Sequence, residues 1–272
     1  MTVEESKKKP RVPLGANYWK LWSSSVVSNL GDGVAQIAYP WLASAVTRSP
    51  VLIALIAVVQ RLPWLLFSLP AGVITDRVDR RKLMLSMNVF RTIITAVVAL
   101  VVLGQSSALP SPDEIAGGID LETNWIVYVT LVVAALLFGM AEVLYDNAAQ
   151  TILPAVVEPE ALERANGNLW GAEMVMNSFV GPPLGSVLIG VAFALPFFFD
   201  AGTFAVSAAL LLFVTGTFTV QRSAEELSAK VDWWGEIKEG VKWLWHHPLL
   251  RPMAIILGFL NALGSLVFAT LV

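Results

Sequence analysis

The feature that most constrains this chain is a series of apolar stretches from which charged residues are almost absent. Five of them contain no Asp, Glu, Lys or Arg: 92–112, 123–141, 174–199, 201–221 and 252–272. Two more, 21–47 and 49–75, are interrupted only by Asp32 and by Arg61. A helix crosses a bilayer with about 20 apolar residues. The sequence therefore predicts an all-α, multi-pass membrane protein with helices at 19–46, 51–75, 83–104, 125–148, 166–190, 195–217 and from 253 onward.

Composition supports a membrane protein and leaves little material for enzymatic chemistry. Hydrophobic residues make up 56% of the 272 residues and charged residues 14%, whereas an ordinary soluble domain has about 25% charged residues. The net charge of −3 gives no reason to expect a nucleic-acid partner. The chain has no Cys, and its two His residues, His246 and His247, are adjacent. The side chains that a zinc site or a His-based triad requires are therefore almost absent. We expect no enzyme, no metal site and no cofactor.

The basic residues predict which side of the membrane each connection occupies. Of the 18 Lys and Arg residues, all but Arg48, Arg61 and Arg91 fall in the first 20 residues or in the connections after the second, fourth and sixth helices. The long connection at 105–124 has four acidic residues and no basic one. Because cytoplasmic loops collect Lys and Arg, we expect a protein of the cell membrane with its N-terminus in the cytoplasm.

The predicted helices divide the chain into four segments. Residues 1–18 form a basic cytoplasmic tail, 19–217 a six-helix bundle, 218–250 a cytoplasmic linker and 251–272 a further helix. In the linker, apolar residues recur at helical spacing, which predicts an amphipathic helix lying at the membrane interface: Trp234, Ile237, Val241, Leu244 and Trp245. A partner-binding helix is the alternative. The odd number of spans and the apolar last residues predict that the chain is the first part of a longer protein.

The strongest motif lies between the second and third predicted helices and reads Gly72-Val-Ile-Thr-Asp76-Arg77-Val-Asp79-Arg80-Arg81-Lys82. We expect Gly72 to permit a close helix contact, and the acidic and basic side chains to exchange partners between two conformations. The segment resembles the cytoplasmic motif G-x-x-x-D-R-x-x-R-R-K of the major facilitator superfamily, with Asp79 where many members have Gly. A basic cluster that only sets topology is the alternative interpretation.

Two further segments carry the same resemblance. The stretch from Leu153 to Gly167 is similar to the connection between helices 4 and 5 in exporters of the macrolide-efflux and enterobactin-export branch. In helix 5, Gly181-Pro182-Pro183-Leu184-Gly185 resembles the antiporter motif of drug/proton exchangers, with Asn177 where a further glycine is usual. Proline removes a backbone donor and kinks a helix, and glycine permits tight contact.

The resemblance implies a specific architecture and activity. The chain would be the first half of a twelve-helix transporter, built from two inverted three-helix repeats, with the first helix of the second half. It would export a hydrophobic or amphiphilic small molecule by proton-coupled alternating access, and its partners would be that molecule, protons, the lipid bilayer and the missing C-terminal half. An importer or uniporter on the same scaffold, and a membrane protein that does not transport, remain as alternatives.

Ionisable residues inside predicted spans are costly to bury and are therefore candidates for the proton and substrate pathway. They are Asp32, Arg61, Arg91, Glu142 and Glu173. Asp32 and Arg61 lie at similar predicted depth, so we expect them to pair, and we expect Asp32 to gain and lose a proton as access alternates. A static ion pair or a water-facing acid is the alternative to this proton-carrying role. The resemblance implies that Asp146 pairs with Arg80. We expect Asp200 to be a hydrated cap at the outer end of helix 6. Tyr39 and Trp64 lie deeper than most of the other aromatic residues, and lining a pocket for a bulky apolar substrate is one role open to them.

Overall fold

The computed structural model of the protein describes residues 12–110, 114–115, 121–219 and 233–271. These residues form helices and no strand, which confirms the predicted all-α class. We number the helices α1 (Ala16–Val46), α2 (Pro50–Thr75), α3 (Arg80–Gly104), α4 (Trp125–Val156), α5 (Pro159–Val191), α6 (Leu195–Leu212), α7 (Trp233–His246) and α8 (Leu250–Leu271).

Five of the described helices, α2 to α6, are long and apolar enough to cross a membrane. The 31 residues of α1 also exceed the length of a span, but α1 is less apolar because much of its surface faces other helices. Its buried positions include polar and small residues such as Ser24, Ser28 and Gly31. The described apolar part of α8, Leu250–Asn261, is shorter. The chain is a multi-pass membrane protein, as predicted.

The first six helices form one packed unit that ends at Val220. Within it, α1 packs along α6 and along the C-terminal half of α5, while α4 packs along α3 and α2, and α3 and α6 contact each other. The packing order is therefore α5–α1–α6–α3–α4–α2. If α1, α2 and α3 exchange places with α4, α5 and α6, respectively, the same order results when it is followed from the opposite end. The second unit begins at Gln221 and contains α7 and α8.

The interior of the six-helix unit is layered. One apolar cluster includes Tyr39, Leu42, Val98, Leu131 and Phe197, and a second includes Tyr18, Leu21, Met84, Ile152 and Leu211. On α1, α3 and α6 the residues between these clusters are polar and buried: Ser24, Ser28, Asn88, Arg91, Thr95, Asp200, Thr203 and Ser207. The polar layer thus lies between two apolar ends, inside the part of the bundle where a bilayer would be.

Helix α5 differs from the helix predicted at 166–190, for which the segment Gly181–Gly185 predicts a kink. It begins earlier, and its middle contains a π-helical segment, Val175–Val180, between the α-helical segments Leu162–Met174 and Gly181–Val191. Pro182 and Pro183 follow directly and have no N–H group to donate to the preceding turn. The N–H of Gly181 instead donates to the carbonyl of Met176, five residues earlier. The two prolines therefore account for a local widening of the helix.

Several other helix ends were predicted wrongly, in most cases by a few residues. Helix α4 continues to Val156, eight residues past the predicted end. Helix α6 ends at Leu212 rather than at 217, and Gly216 beyond it has a φ of 128°, which L-residues with side chains rarely adopt. The amphipathic helix predicted in the linker is present as α7.

Candidate functional site

A fully buried arginine lies at the centre of the polar layer. Arg91 on α3 is only 1% exposed, and its guanidinium donates to Oδ1 of Asn88 one turn earlier. Its Nη1 atom lies 3.9 Å from Oδ1 of Asp32 on α1. The guanidinium carbon also lies over aromatic rings, 4.3 Å from the centroid of Tyr145 and 4.4 Å from that of Phe204. One carboxylate and two close ring faces thus stabilise the buried cation.

The prediction that Asp32 pairs with Arg61 is wrong, because Arg91 is the cation beside Asp32. Equal depth in the membrane does not determine which face of a helix a residue occupies. Helix α1 makes few contacts with α2, and Arg61 is exposed on α2. Arg61 instead lies in electrostatic range of Glu142, whose carboxylate is also in hydrogen-bonding range of the Trp64 indole.

The two acidic residues of α4 join the arginine cluster. Glu142 and Asp146 are one helical turn apart and half-buried, and both lie in electrostatic range of Arg91 and of Glu173 on α5. The predicted pair of Asp146 with Arg80 is wrong. Asp146 lies ten residues before the end of α4 at Val156, so it is inside the bundle and not at a helix end.

Asp200 was predicted to be a hydrated cap, and the structure contradicts this. It lies in the second turn of α6 with no exposed surface, and Asp32 and Arg91 are both in electrostatic range of its carboxylate. Tyr39, a candidate for lining a pocket, is buried in the apolar core, where its ring packs edge-on against Phe197 with 5.3 Å between centroids.

Hydrogen bonds join α1, α3 and α6 next to the arginine. The hydroxyls of Ser24 and Ser207 are 2.7 Å apart, and the Asn88 amide donates to the Ser207 hydroxyl at 2.8 Å. Ser207 in turn donates to the carbonyl of Ser24 at 2.9 Å. Asn88 therefore connects this serine pair to Arg91, so the three helices share one buried polar network.

The glycines of the helix-5 motif place α5 directly against α1. A Cβ on Gly181 would lie 2.5 Å from Cα of Gly33, and a Cβ on Gly185 would lie 2.8 Å from the carbonyl oxygen of Val34. A Cβ on Gly33 would in turn lie 2.6 Å from the carbonyl oxygen of Met176. The role expected for these glycines, a close helix contact, is what the structure contains.

The motif between α2 and α3 joins the start of α3 to the end of α6. Arg80 pairs with Asp76 at 3.8 Å, and Arg81 donates to the carbonyls of Leu211 and Leu212 at 2.9 and 2.8 Å. The Asp79 carboxylate accepts from the N–H groups of Lys82 and Phe218, both at 3.0 Å. Gly72 is not in a tight contact: among the described residues, nothing lies within 4 Å of a Cβ placed there.

Comparison with known proteins agrees with this architecture. The transmembrane secretion effector family of the major facilitator superfamily matches residues 10–232. The chain belongs to this family. It is also similar to the multidrug efflux pump Tap of Mycolicibacterium fortuitum, with 26% identity over 242 residues, which cover 86% of this chain and 53% of the pump. The chain thus spans about half the length of this relative. Its family consists of transporters and not of enzymes.

In this member of the secretion effector family, the structure brings the candidate residues Asp32, Arg91, Glu142 and Glu173 into electrostatic range of one another, with Arg61 at the edge. Sequence reasoning missed Asn88, Tyr145, Phe204 and the burial of Asp200. A signal for two of them was present. Polar residues recur at i, i+3 and i+7 on α3 (Asn88, Arg91, Thr95) and on α6 (Asp200, Thr203, Ser207), a spacing that places each set on one helix face.

Proposed function

We propose that the complete protein is a secondary transporter that exports a hydrophobic or amphiphilic small molecule across the cell membrane, driven by proton entry. The single observation that supports this most is the buried Arg91 with carboxyl groups around it, between two apolar layers of a membrane bundle. Charged residues in a membrane interior are costly and mark ion and substrate pathways. The name of the similar protein, a multidrug efflux pump, agrees with export.

In this proposal, the half-buried acids face the route of the transported molecule. Asp32, Glu142 and Asp146 each retain some exposed surface, so water or a substrate can reach them. Arg91 remains charged throughout, because a guanidinium does not lose its proton in proteins. A carboxyl group that gains and loses a proton beside a fixed cation can therefore change its pairing as access alternates.

The remaining segments are assigned by the same proposal. Residues 19–217 form the first of two bundles, 218–250 a cytoplasmic linker, and 251–272 the first helix of a second bundle that the complete protein supplies. Residues 1–18 form a cytoplasmic tail. Alternating access would come from rocking of the two bundles around the interior site, and the motif from Gly72 to Lys82, with Asp76 and Arg80, would change partners at the cytoplasmic side.

The test uses the complete protein in liposomes and a fluorescent amphiphilic dye as the probe. We expect an imposed pH gradient to drive dye movement against the direction of proton flow, and Asp32→Asn to lose this movement while Gln36→Ala, on an exposed face of α1, retains it. Dye movement in the same direction as protons would favour an importer. Movement that is independent of the pH gradient would favour a uniporter and contradict proton coupling.

The proposed orientation has a separate test that uses the absence of Cys from the chain. Ser107 and Glu160 are exposed at opposite ends of the bundle helices, after α3 and after α4. In intact cells, an impermeant thiol reagent should label Ser107→Cys and not Glu160→Cys. Labelling of Glu160→Cys alone would contradict a cytoplasmic N-terminus.

A further inference from the structure

Asp200 has the most enclosed carboxyl group of the described part of the bundle. Its side chain has no exposed surface, and neither carboxyl oxygen has a hydrogen-bond partner among the described residues. The hydroxyl of Thr203 is nearby, but it donates to the backbone carbonyl of Asp200 at 2.7 Å. Oδ1 lies against Gly31, where any side chain would collide with it. The carboxyl group is thus shielded from water, with the Thr203 hydroxyl as a neighbouring donor in hydrogen-bonding range.

The helices around Asp200 present four titratable or charged groups to it. Asp32 and Tyr39 come from α1, Arg91 from α3 and Glu142 from α4. Arg91 is the cation of this set, and its Nη1 atom lies 3.9 Å from Asp32. Several carboxyl groups, with Asp32 and Asp200 among them, therefore compete for one guanidinium.

This competition restricts the charge that the site can hold. A buried carboxylate without a cation or donors is strongly unfavourable, whereas the neutral acid is much less so. Arg91 cannot give up its proton. The arrangement therefore favours one carboxylate paired with Arg91 while the other carboxyl group is neutral. The observed pair is Asp32 with Arg91, which leaves Asp200 as the neutral group.

We propose that Asp200 carries the coupling proton and exchanges the Arg91 guanidinium with Asp32 during transport. This rests on the proton-driven export proposed above. When Asp200 is protonated, Arg91 pairs with Asp32. When the Asp200 O–H bond breaks and the proton leaves to water, the new carboxylate competes for Arg91, and Asp32 becomes available to a substrate or to another proton.

The environment favours a proton over a metal cation as the bound ion. A cation held by carboxylates needs several oxygen ligands that converge on one point. The described residues contain no group of three or more His, Cys, Asp or Glu positioned to hold a metal ion. A proton requires only one carboxyl group, and Asp200 supplies one.

Burial also separates the role of Asp200 from that of the other acids. Asp32 has 19% of its side-chain surface exposed, and Glu142 is half-buried, so a substrate can reach them. Asp200 cannot be reached in this conformation. A change at Asp200 should therefore alter the coupling of transport to the pH gradient, with little effect on substrate binding.

The test measures two kinds of dye transport by the complete protein in liposomes. We expect Asp200→Asn to lower pH-driven dye export by about tenfold or more, a typical size for a lost coupling, and to leave energy-independent dye exchange unchanged. Gln36→Ala, on an exposed face of α1, should retain both activities. Normal pH-driven export by Asp200→Asn would overturn the proposal, and so would equal losses of pH-driven export and energy-independent exchange in that variant.

Infrared spectroscopy of the purified protein provides a readout that does not depend on transport or on the stability of the variant. We expect wild type at neutral pH to show the carbonyl stretch of a protonated carboxylic acid that exchanges slowly with heavy water. The band should persist in Asp32→Asn and shift with carbon-13 labelling of aspartate. Absence of this band in wild type would overturn the proposal for Asp200. Export by wild type that ignores the pH gradient would instead contradict the proposed proton-driven function.

Discussion

Two regions of this molecule use the same residue types under opposite conditions. In the motif between α2 and α3, Asp76 and Arg80 form an ion pair in which the Asp76 side chain is 53% exposed and the Arg80 side chain 16%, and Arg81 donates to backbone carbonyls. In the interior, Arg91 is 1% exposed and shares its single charge among several acids. Surface ion pairs contribute little to stability, whereas a buried charge needs every partner it has. Loss of one charged partner should therefore lower the folding free energy only a little in the motif and much more in the interior site.

The largest expected effect is at Arg91. Arg91→Ala would remove the cation beside Asp32 and the contacts with the rings of Tyr145 and Phe204. We expect a loss of about 3 to 5 kcal/mol of folding free energy, measured as lowered folded yield and unfolding temperature in detergent. Adding Asp32→Asn should recover part of the loss. Arg61→Ala, at an exposed position on α2, is the control and should change little.

A second pair of variants compares two glycines. In Gly33→Ala the new methyl group would collide with the backbone of α5, and overpacking of this kind costs about 1 to 3 kcal/mol. In Gly72→Ala the methyl group meets nothing among the described residues, and alanine favours a helix by about 0.5 to 1 kcal/mol. Thermal unfolding should therefore shift in opposite directions. A stable Gly33→Ala protein would show that α1 and α5 separate easily.

A third prediction concerns Asp79, which stands where the family motif often has glycine. Asp79→Ala would remove the N-cap of α3 and the acceptor for Phe218. We expect a loss of about 1 kcal/mol, visible in the unfolding temperature. Asp79→Asn, which keeps an acceptor oxygen, should retain most of the stability. Equal losses in both variants would mean that the negative charge matters more than the cap.

The smallest expected effect on stability is at the surface pair. Asp76→Asn and Arg80→Ala should each change the folding free energy by less than about 1 kcal/mol. Under the proposed switching role, both should still slow dye export in the liposome assay, because the pair would form in one state and break in the other. Normal export by both variants would show that the motif sets the topology and has no role in switching.

The comparison also explains which features could be predicted. The motif from Gly72 to Lys82 is continuous in sequence, and the membrane spans follow from local composition. Both could therefore be predicted from the sequence. The interior site is assembled from five helices, and the face that each one presents depends on packing. Asp32 was therefore assigned the wrong arginine. The prediction of a hydrated cap at Asp200 was wrong because it used only the position of the residue near the start of α6. That position does not show that α1 and α3 enclose the side chain.

The symmetric packing order has a consequence for how the bundle holds its charges. The exchange of the first three helices for the next three maps α3 onto α6, and these two helices contact each other. Yet one carries a permanent cation, Arg91, and the other an acid, Asp200. The two three-helix units therefore resemble the subunits of an obligate heterodimer, alike in packing order but with a cation on one side of their shared contact and a titratable acid on the other. Neither unit alone would provide Arg91 with both the α1 carboxylate and the α4 and α6 rings that enclose it.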